Sequence, residues 1–318
     1  MKLFRSLLPL LLLSFVAQAQ SPIKDGAILA EFSVSDSTKV YFSQGNLQYQ
    51  ASTNTWRFAE HQWDFVGDSI NGNVYENGVK SDNLKISPTY DGWIDLFGWG
   101  TSGYNGMYPY MSSWVDKYYL QYKNKTIAGT KYDWGYNKIS NGGNQVSQWR
   151  TLTDEEWFYL AWKRPNASLK YGFAIVNGIE GLVLLPDNWK LPNGISFKNF
   201  VKLIYPKMNT YSENIYSYSD WSKMEKNGAV FFPAAGFRDN WYSHNYPEFN
   251  HLLDLPDNLP VNIYCVKSVG EYWSSDVPFK SEPYGKYMYF YPEMRFDTEC
   301  LLKRNTGMSV RLVQDVKK

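Results

Sequence analysis

Three histidines, two cysteines and a few carboxylate clusters are the residues of this chain most able to do chemistry. His61, His244 and His251 never fall at H-x-x-x-H spacing, and no C-x-x-C run occurs, so the ligand spacing of a tetrahedral zinc site is missing. No G-x-S-x-G elbow presents a serine nucleophile. Asp154-Glu155-Glu156 gathers three carboxylates directly after Thr153. That is the pattern of a helix start, where acids complement the macrodipole and Glu156 closes a capping box. Gly98-Trp99-Gly100-Thr101-Ser102-Gly103 fits G-x-G-x-x-G, but a dinucleotide site needs a helix next to hold the pyrophosphate. Tyr104-Asn-Gly-Met-Tyr-Pro109 is no helix, so the motif reads as an aromatic-clamped turn. Cys265 and Cys300 read two ways. A bridge between them would close a loop of about 36 residues, worth on the order of 3–4 kcal/mol, and the alternative is two separate buried thiols.

With no catalytic set assembled, contact chemistry is left. Aromatic residues make up 18% of the chain, far above ordinary usage. Such rings either fill the core of a loop-rich protein or stack on sugars and partner surfaces. With 32 Lys and Arg against 31 Asp and Glu, and no dense basic stripe, nothing marks a nucleic-acid binder.

The N-terminus reads as a signal peptide over residues 1–19: Lys2 and Arg5, an apolar run over 7–16, then Ala17-Gln18-Ala19 as cleavage site. Roughly ten apolar residues are too few for a bilayer, which needs about 20. No cysteine follows the cleavage site, and no second long apolar run suggests a transmembrane anchor. The expectation is an exported bacterial protein, periplasmic, secreted or on the outer surface.

Residues 20–318 read as a single domain, in which strands over 27–66 either open the fold or form an accessory β-module. Phe32 and Val34, then Val40 and Phe42, alternate with polar neighbours around an Asp36-Ser37 turn, and Trp56, Phe58, Trp63 and Phe65 alternate again. Residues 67–148 carry few aliphatic runs, but Trp93, Phe97, Trp99, Trp114 and Trp134 pin the segment by ring packing. Two helices are legible. One is capped by Thr153, with Trp157, Leu160 and Ala161 inward and Pro165 as its stop. The other runs from Ser219 as N-cap to Lys226, with Gly228 just past its end. A third short helix is expected over 197–204, and Gly181-Leu-Val-Leu-Leu-Pro186 reads as a buried strand. The composite is an α+β domain.

Three phrases late in the chain keep a fixed order: Gly228-Ala-Val-Phe-Phe-Pro-Ala-Ala-Gly-Phe-Arg-Asp239, Gly270-Glu-Tyr-Trp-Ser-Ser-Asp276 and Gly307-Met-Ser-Val-Arg-Leu-Val-Gln-Asp315. With Thr151-Leu-Thr-Asp-Glu-Glu-Trp157, they resemble the Fibrobacter succinogenes major paralogous domain from about Trp93 to Val313. That family is a bacterial branch of the C-type-lectin-like superfamily, which also holds the formylglycine-generating, sulfatase-modifying enzymes. The resemblance implies two main helices, twisted antiparallel sheets and long loops. It also implies paired first and last strands, with Phe32 to Val34 or Val40 to Phe42 beside Val310 to Leu312.

The resemblance further implies which chemistry to look for. Formylglycine-generating relatives depend on a close pair of late cysteines; Cys265 and Cys300 match no such pair, so an oxidase is not supported. Sugar-binding C-type lectins hold calcium with carboxylates and amide oxygens. Asp187-Asn188, Asp239-Asn240 and Asp257-Asn258 supply such oxygens, with Asp239 and Asn240 the foremost calcium candidates. The lectins' Glu-Pro-Asn and Trp-Asn-Asp motifs are absent, and Asp-Asn is also a common turn pair. By position, the ligand-facing loops correspond to 238–261 and 275–304. Their ligand-binding candidates are Trp241, Tyr242, Tyr246, Tyr284, Tyr291 and Arg295, joined by His244 and Arg304; Tyr, Trp and Arg are enriched at binding hot spots. The expectation is a non-enzymatic binding module for a protein or glycan ligand. A structural or adhesive envelope component is the alternative, and an enzyme such as a glycan hydrolase stands third.

Overall fold

The computed structural model describes residues 23–65, 86–110, 120–200, 210–239, 262–278, 283–292 and 295–317. The leader 1–19, Trp114, Trp241, Tyr242, His244, Tyr246, Asn240, His251 and the pair Asp257-Asn258 lie outside the described residues.

In chain order the strands are β1 (Ile23–Lys24), β2 (Ala27–Ile28), β3 (Phe32–Ser33), β4 (Lys39–Phe42), β5 (Leu47–Gln50), β6 (Thr55–Phe58), β7 (Trp93–Ile94), β8 (Arg150–Thr151) and β9 (Tyr171–Val176). They continue as β10 (Ile179–Leu184), β11 (Ile215–Tyr216), β12 (Val230–Pro233), β13 (Phe237–Asp239), β14 (Asn262–Tyr264), β15 (Gly270–Trp273), β16 (Tyr284–Tyr291), β17 (Arg295–Lys303) and β18 (Leu312–Asp315). The helices are α1 (Asp154–Phe158), extended by a π-helical turn over Tyr159–Lys163, and α2 (Tyr218–Lys226). The molecule is thus a mixed, sheet-rich fold with two α-helices among the described residues. None of those helices is long and apolar enough to cross a membrane.

Both helices begin as their sequence dictates. Thr153 accepts from the Glu156 N–H while the Glu156 carboxylate accepts from the Thr153 N–H, a closed capping box. Trp157, Leu160 and Ala161 face inward and the coil ends before Pro165. α2 starts two residues earlier than its expected Ser219 cap, because Ser217 stands in extended backbone and its side chain accepts from the Asp220 N–H. The helix expected from Phe197 does not form over 197–200. There the Lys198 N–H is taken by Asn214 and the Phe200 N–H by the Tyr171 carbonyl, bonds made to other segments instead of within a coil.

Four-stranded β3–β4–β18–β8 joins the two ends of the described chain, with Val313 opposite Phe42. Four-stranded β11–β9–β10–β12 contains the buried run from Gly181, where β10 pairs with β12. Its β9–β10 hairpin turns on Asn177 (φ 49) and Gly178 (φ 83), the left-handed pair that a tight hairpin requires. A large core lies among these sheets and α1, where Phe42 meets Phe32 and Phe232 edge-on and Trp157 packs on both Phe42 and Phe232. A second cluster gathers Trp56, Phe97, Trp99, Trp134, Trp149 and Trp273, so the aromatic-rich middle of the chain is core. A third sits under α2 around Trp221, Met224 and Phe231.

Polar groups tie the irregular segments to that frame. Asp133 is fully buried and accepts from the N–H groups of Gly129, Gly135 and Thr151 and from the Thr151 hydroxyl, fixing a long connection. Arg304 is 1% exposed, donating to the carbonyls of Leu120 and Tyr284 with its guanidinium 4.9 Å over the Trp99 ring. It is therefore no surface contact; a guanidinium with several donors is spent on loop carbonyls. Arg311, equally buried, donates to Gln62 at 2.8 Å and lies over Phe232.

Candidate functional site

Among the described residues, the three-stranded β15–β16–β17 sheet carries a face where titratable and aromatic side chains from several segments meet. Side chains alternate along β15: Tyr272 drops into the large core, whereas Glu271 and Trp273 point to the other side. The Gly270 position must be bare, because a Cβ there would run into the Phe290 ring opposite. On β16, Trp273 stands opposite Tyr287 and Glu271 opposite Tyr289, with Tyr291 two residues further on the same face. These three tyrosines are half-buried, whereas Met288 and Phe290 between them are core. β17 carries Cys300 opposite Tyr287 and Asp297 opposite Tyr289, with a bulge between. The Asp297 carboxylate accepts the N–H groups of Thr298 and Glu299 there, which holds the bulge.

A second sheet abuts this face. The backbone of Arg238 exchanges both hydrogen bonds with Gly307, and Ser309 bonds to Glu271 and Trp273, so residues 307–309 stitch β13 to β15. β13 pairs with β14, stacking Phe237 near Tyr264 and ending at Asp239 opposite Asn262. Cys265 follows in a left-handed turn at φ 58.

The electrostatics of this patch favour protonated groups. Glu271 is 7% exposed, and burial, with Asp239 as a second cause, pushes its carboxyl up to about 8. Its Oε2 is sealed from water with no hydrogen-bond partner. The Cys265 thiol is pushed up by local desolvation and by Glu271, although the residue as a whole is exposed. Burial, then Glu271, also raises Tyr287. A thiol shifted upward is the reverse of an activated thiolate.

No disulfide joins Cys265 and Cys300. β16 stands between β15, whose Glu271 neighbours Cys265, and β17, which carries Cys300. Among the described residues no group of three or more His, Cys, Asp or Glu side chains is arranged to hold a metal ion. Asp187, the first calcium candidate in chain order, is occupied by the Ser33 N–H and hydroxyl at 2.9 and 2.6 Å, with Arg164 at 3.5 Å. Asp239 is buried at the end of β13.

The sequence-derived ligand candidates separate. Tyr291 belongs to the tyrosine face, and the backbone of Arg295 pairs with it in β17. Tyr284 sits at the far end of β16 and on its other side, in phase with Lys286, whose ammonium bonds the α1 carboxylate Asp154 at 2.5 Å. Seven residues apart on a strand means opposite faces. Sequence reasoning missed Glu271, Tyr287 and Tyr289. Their signal was readable as tyrosines at 287, 289 and 291, a period of two.

The phrases of the family resemblance turn out to be framework. Trp273 donates to the Phe97 carbonyl and Trp99 to that of Ser274, while Ser274 donates to Lys286 and Asp276 accepts from the Asp154 N–H. At a significant level the chain matches no protein-family model, no curated protein and no solved structure.

Proposed function

We propose that the chain is an exported binding module of C-type-lectin-like architecture, which takes a protein or glycan ligand on the tyrosine face of β15–β16–β17. The lectin-like reading is supported by the two capped helices, by the β4–β18 pairing of the two ends and by the order of the three glycine-led phrases. The observation that carries the binding reading is the row Tyr287, Tyr289 and Tyr291, half-buried along one strand beside the point where the chain leaves Asp239 and returns at Asn262. Tyrosine offers large, rigid contact area at low entropic cost and keeps a hydroxyl for polar partners. Ser274 and Asp276 of the second glycine-led phrase bond to the backbone of Lys286 and Asp154, which favours a framework role for them over a catalytic one.

Arrays of defined glycans and of purified extracellular proteins test this with the chain from residue 20 onward. Saturable binding should fall about tenfold or more, worth ~1.4 kcal/mol, in the Tyr289→Ala/Tyr291→Ala double variant. It should persist in Trp162→Ala, a 45% exposed ring on the π-helical turn. Binding that ignores the double substitution, or no ligand in either array, overturns the reading.

A further inference from the structure

Lys286 and Asp154 stand in an arrangement that an ordinary surface ion pair does not have. The Lys286 Nζ lies 2.5 Å from the Asp154 Oδ2, with the lysine side chain 29% and the aspartate side chain 8% exposed. Among the described residues, Lys39, Lys125, Lys198 and Lys223 also pair with carboxylates, but each of those lysine side chains is 42% exposed or more. Lys170 is well buried, yet it stands 4.0 Å from the Asp187 carboxylate and spends its ammonium on the Asp187 carbonyl. Contact and burial of both partners coincide at Lys286 and Asp154.

Three features act on the Asp154 carboxyl. Its Oδ1 is sealed from water with no hydrogen-bond partner, so half of the group's acceptor capacity is unserved. Burial raises its pKa against the opposing bond from Lys286, with Asp276 and Glu299 adding repulsion, and this favours the neutral acid. Both partners are also fixed to one point: the Asp154 N–H donates to the Asp276 Oδ2 at 2.9 Å, and the Lys286 N–H donates to the Asp276 carbonyl at 2.9 Å. Asp276 is thus a positioning residue that ties the start of α1 to β16.

We infer that Lys286 and Asp154 form an intramolecular isopeptide bond, a covalent brace between β16 and the first turn of α1. The step is a condensation within the pair. The ammonium passes one proton to Oδ2, the freed amine attacks Cγ, and the Nζ–Cγ bond forms as the Cγ–Oδ2 bond breaks. Oδ2 leaves as water with both of its protons drawn from the nitrogen, and Oδ1 remains as the amide carbonyl. No oxidant, reductant or co-reactant enters the balance. Holding the two groups in contact replaces an encounter by a unimolecular step, the large rate advantage of a fixed pair. The partly exposed lysine gives the water a way out, and the buried carboxyl keeps bulk water from reversing the step. The bond closes a loop across 132 positions of sequence in a chain whose two cysteines stand unbridged.

The test is the intact mass of the folded chain from residue 20 onward, read after denaturation. The main species should be lighter than its sequence by one water. Trypsin should release residues 151–163 joined to residues 281–295, uncut after Lys286, as one branched peptide lighter than the two by one water. Lys286→Arg keeps the cation, but a guanidinium that stays protonated is no nucleophile. That variant should melt cooperatively and carry its full sequence mass; should it fail to fold, the peptide map of the native chain decides alone. A native chain of full sequence mass that is cut after Lys286 overturns the inference. A missing water that persists in Lys286→Arg overturns it too, because the water then comes from another site.

Discussion

A carboxyl with an unserved buried oxygen is tolerated because it stays protonated, and at Glu271 this has a direct consequence for stability. Its folded-state value of about 8 lies above the ordinary 4.5, so the folded chain binds more protons than the unfolded one between those values. The stabilising contribution is fully present below about pH 4.5 and is lost as pH rises through about 8. Each pH step in that window changes it by at most about 1.4 kcal/mol. Glu271→Gln cannot ionise, so its urea stability relative to the native chain should rise between pH 5 and pH 9; a constant difference across that window would contradict the assignment. Asp133, whose carboxyl is also pushed up by burial, differs at the same scale in that its oxygens are bonded. Its carboxylate is fully used by three N–H groups and a hydroxyl, so Asp133→Ala should cost about 2–4 kcal/mol by orphaning those donors.

The elements obey local rules, and their failures are local too. Both helix starts follow capping chemistry, yet for α2 three candidate serines, Ser217, Ser219 and Ser222, compete in the sequence. Only Ser217 has the extended backbone and the bond to the Asp220 N–H; the Ser222 hydroxyl is turned back onto the Tyr218 carbonyl. Ser217→Ala should therefore cost about 1 kcal/mol and Ser219→Ala a few tenths, read from urea midpoints with an unchanged slope. The buried strand from Gly181 was legible as a short apolar run. Its hairpin partner β9 was also written, in Asn177-Gly178, the left-handed pair that marks a two-residue turn. The segment over 197–200 was not legible, since an apolar run looks alike whether its N–H groups bond within a coil or reach Asn214 and Tyr171 across the fold.

At the scale of the whole molecule, buried arginines do what long regular elements do elsewhere. Arg311 links Gln62 and Asn46 from the N-terminal third to the last strand region, and Gln62 in turn holds Phe231 and Ala229. Arg311→Ala should cost about 3–5 kcal/mol, because it strands those buried polar groups around a cavity; a melting curve within a degree or two of the native chain would refute that.

The sequence by itself determined the mixed, sheet-rich character, the α1 capping box and the absence of the usual catalytic and zinc spacings. Those are properties of nearest neighbours and of short periodicities, which the chain states locally. Only the tertiary structure decided that Arg304 is buried, that Tyr284 and Tyr291 point apart, that the two thiols stand unbridged and that Glu271 joins the tyrosine row. Each of these depends on register and burial, and both are set by contacts between segments far apart in the chain.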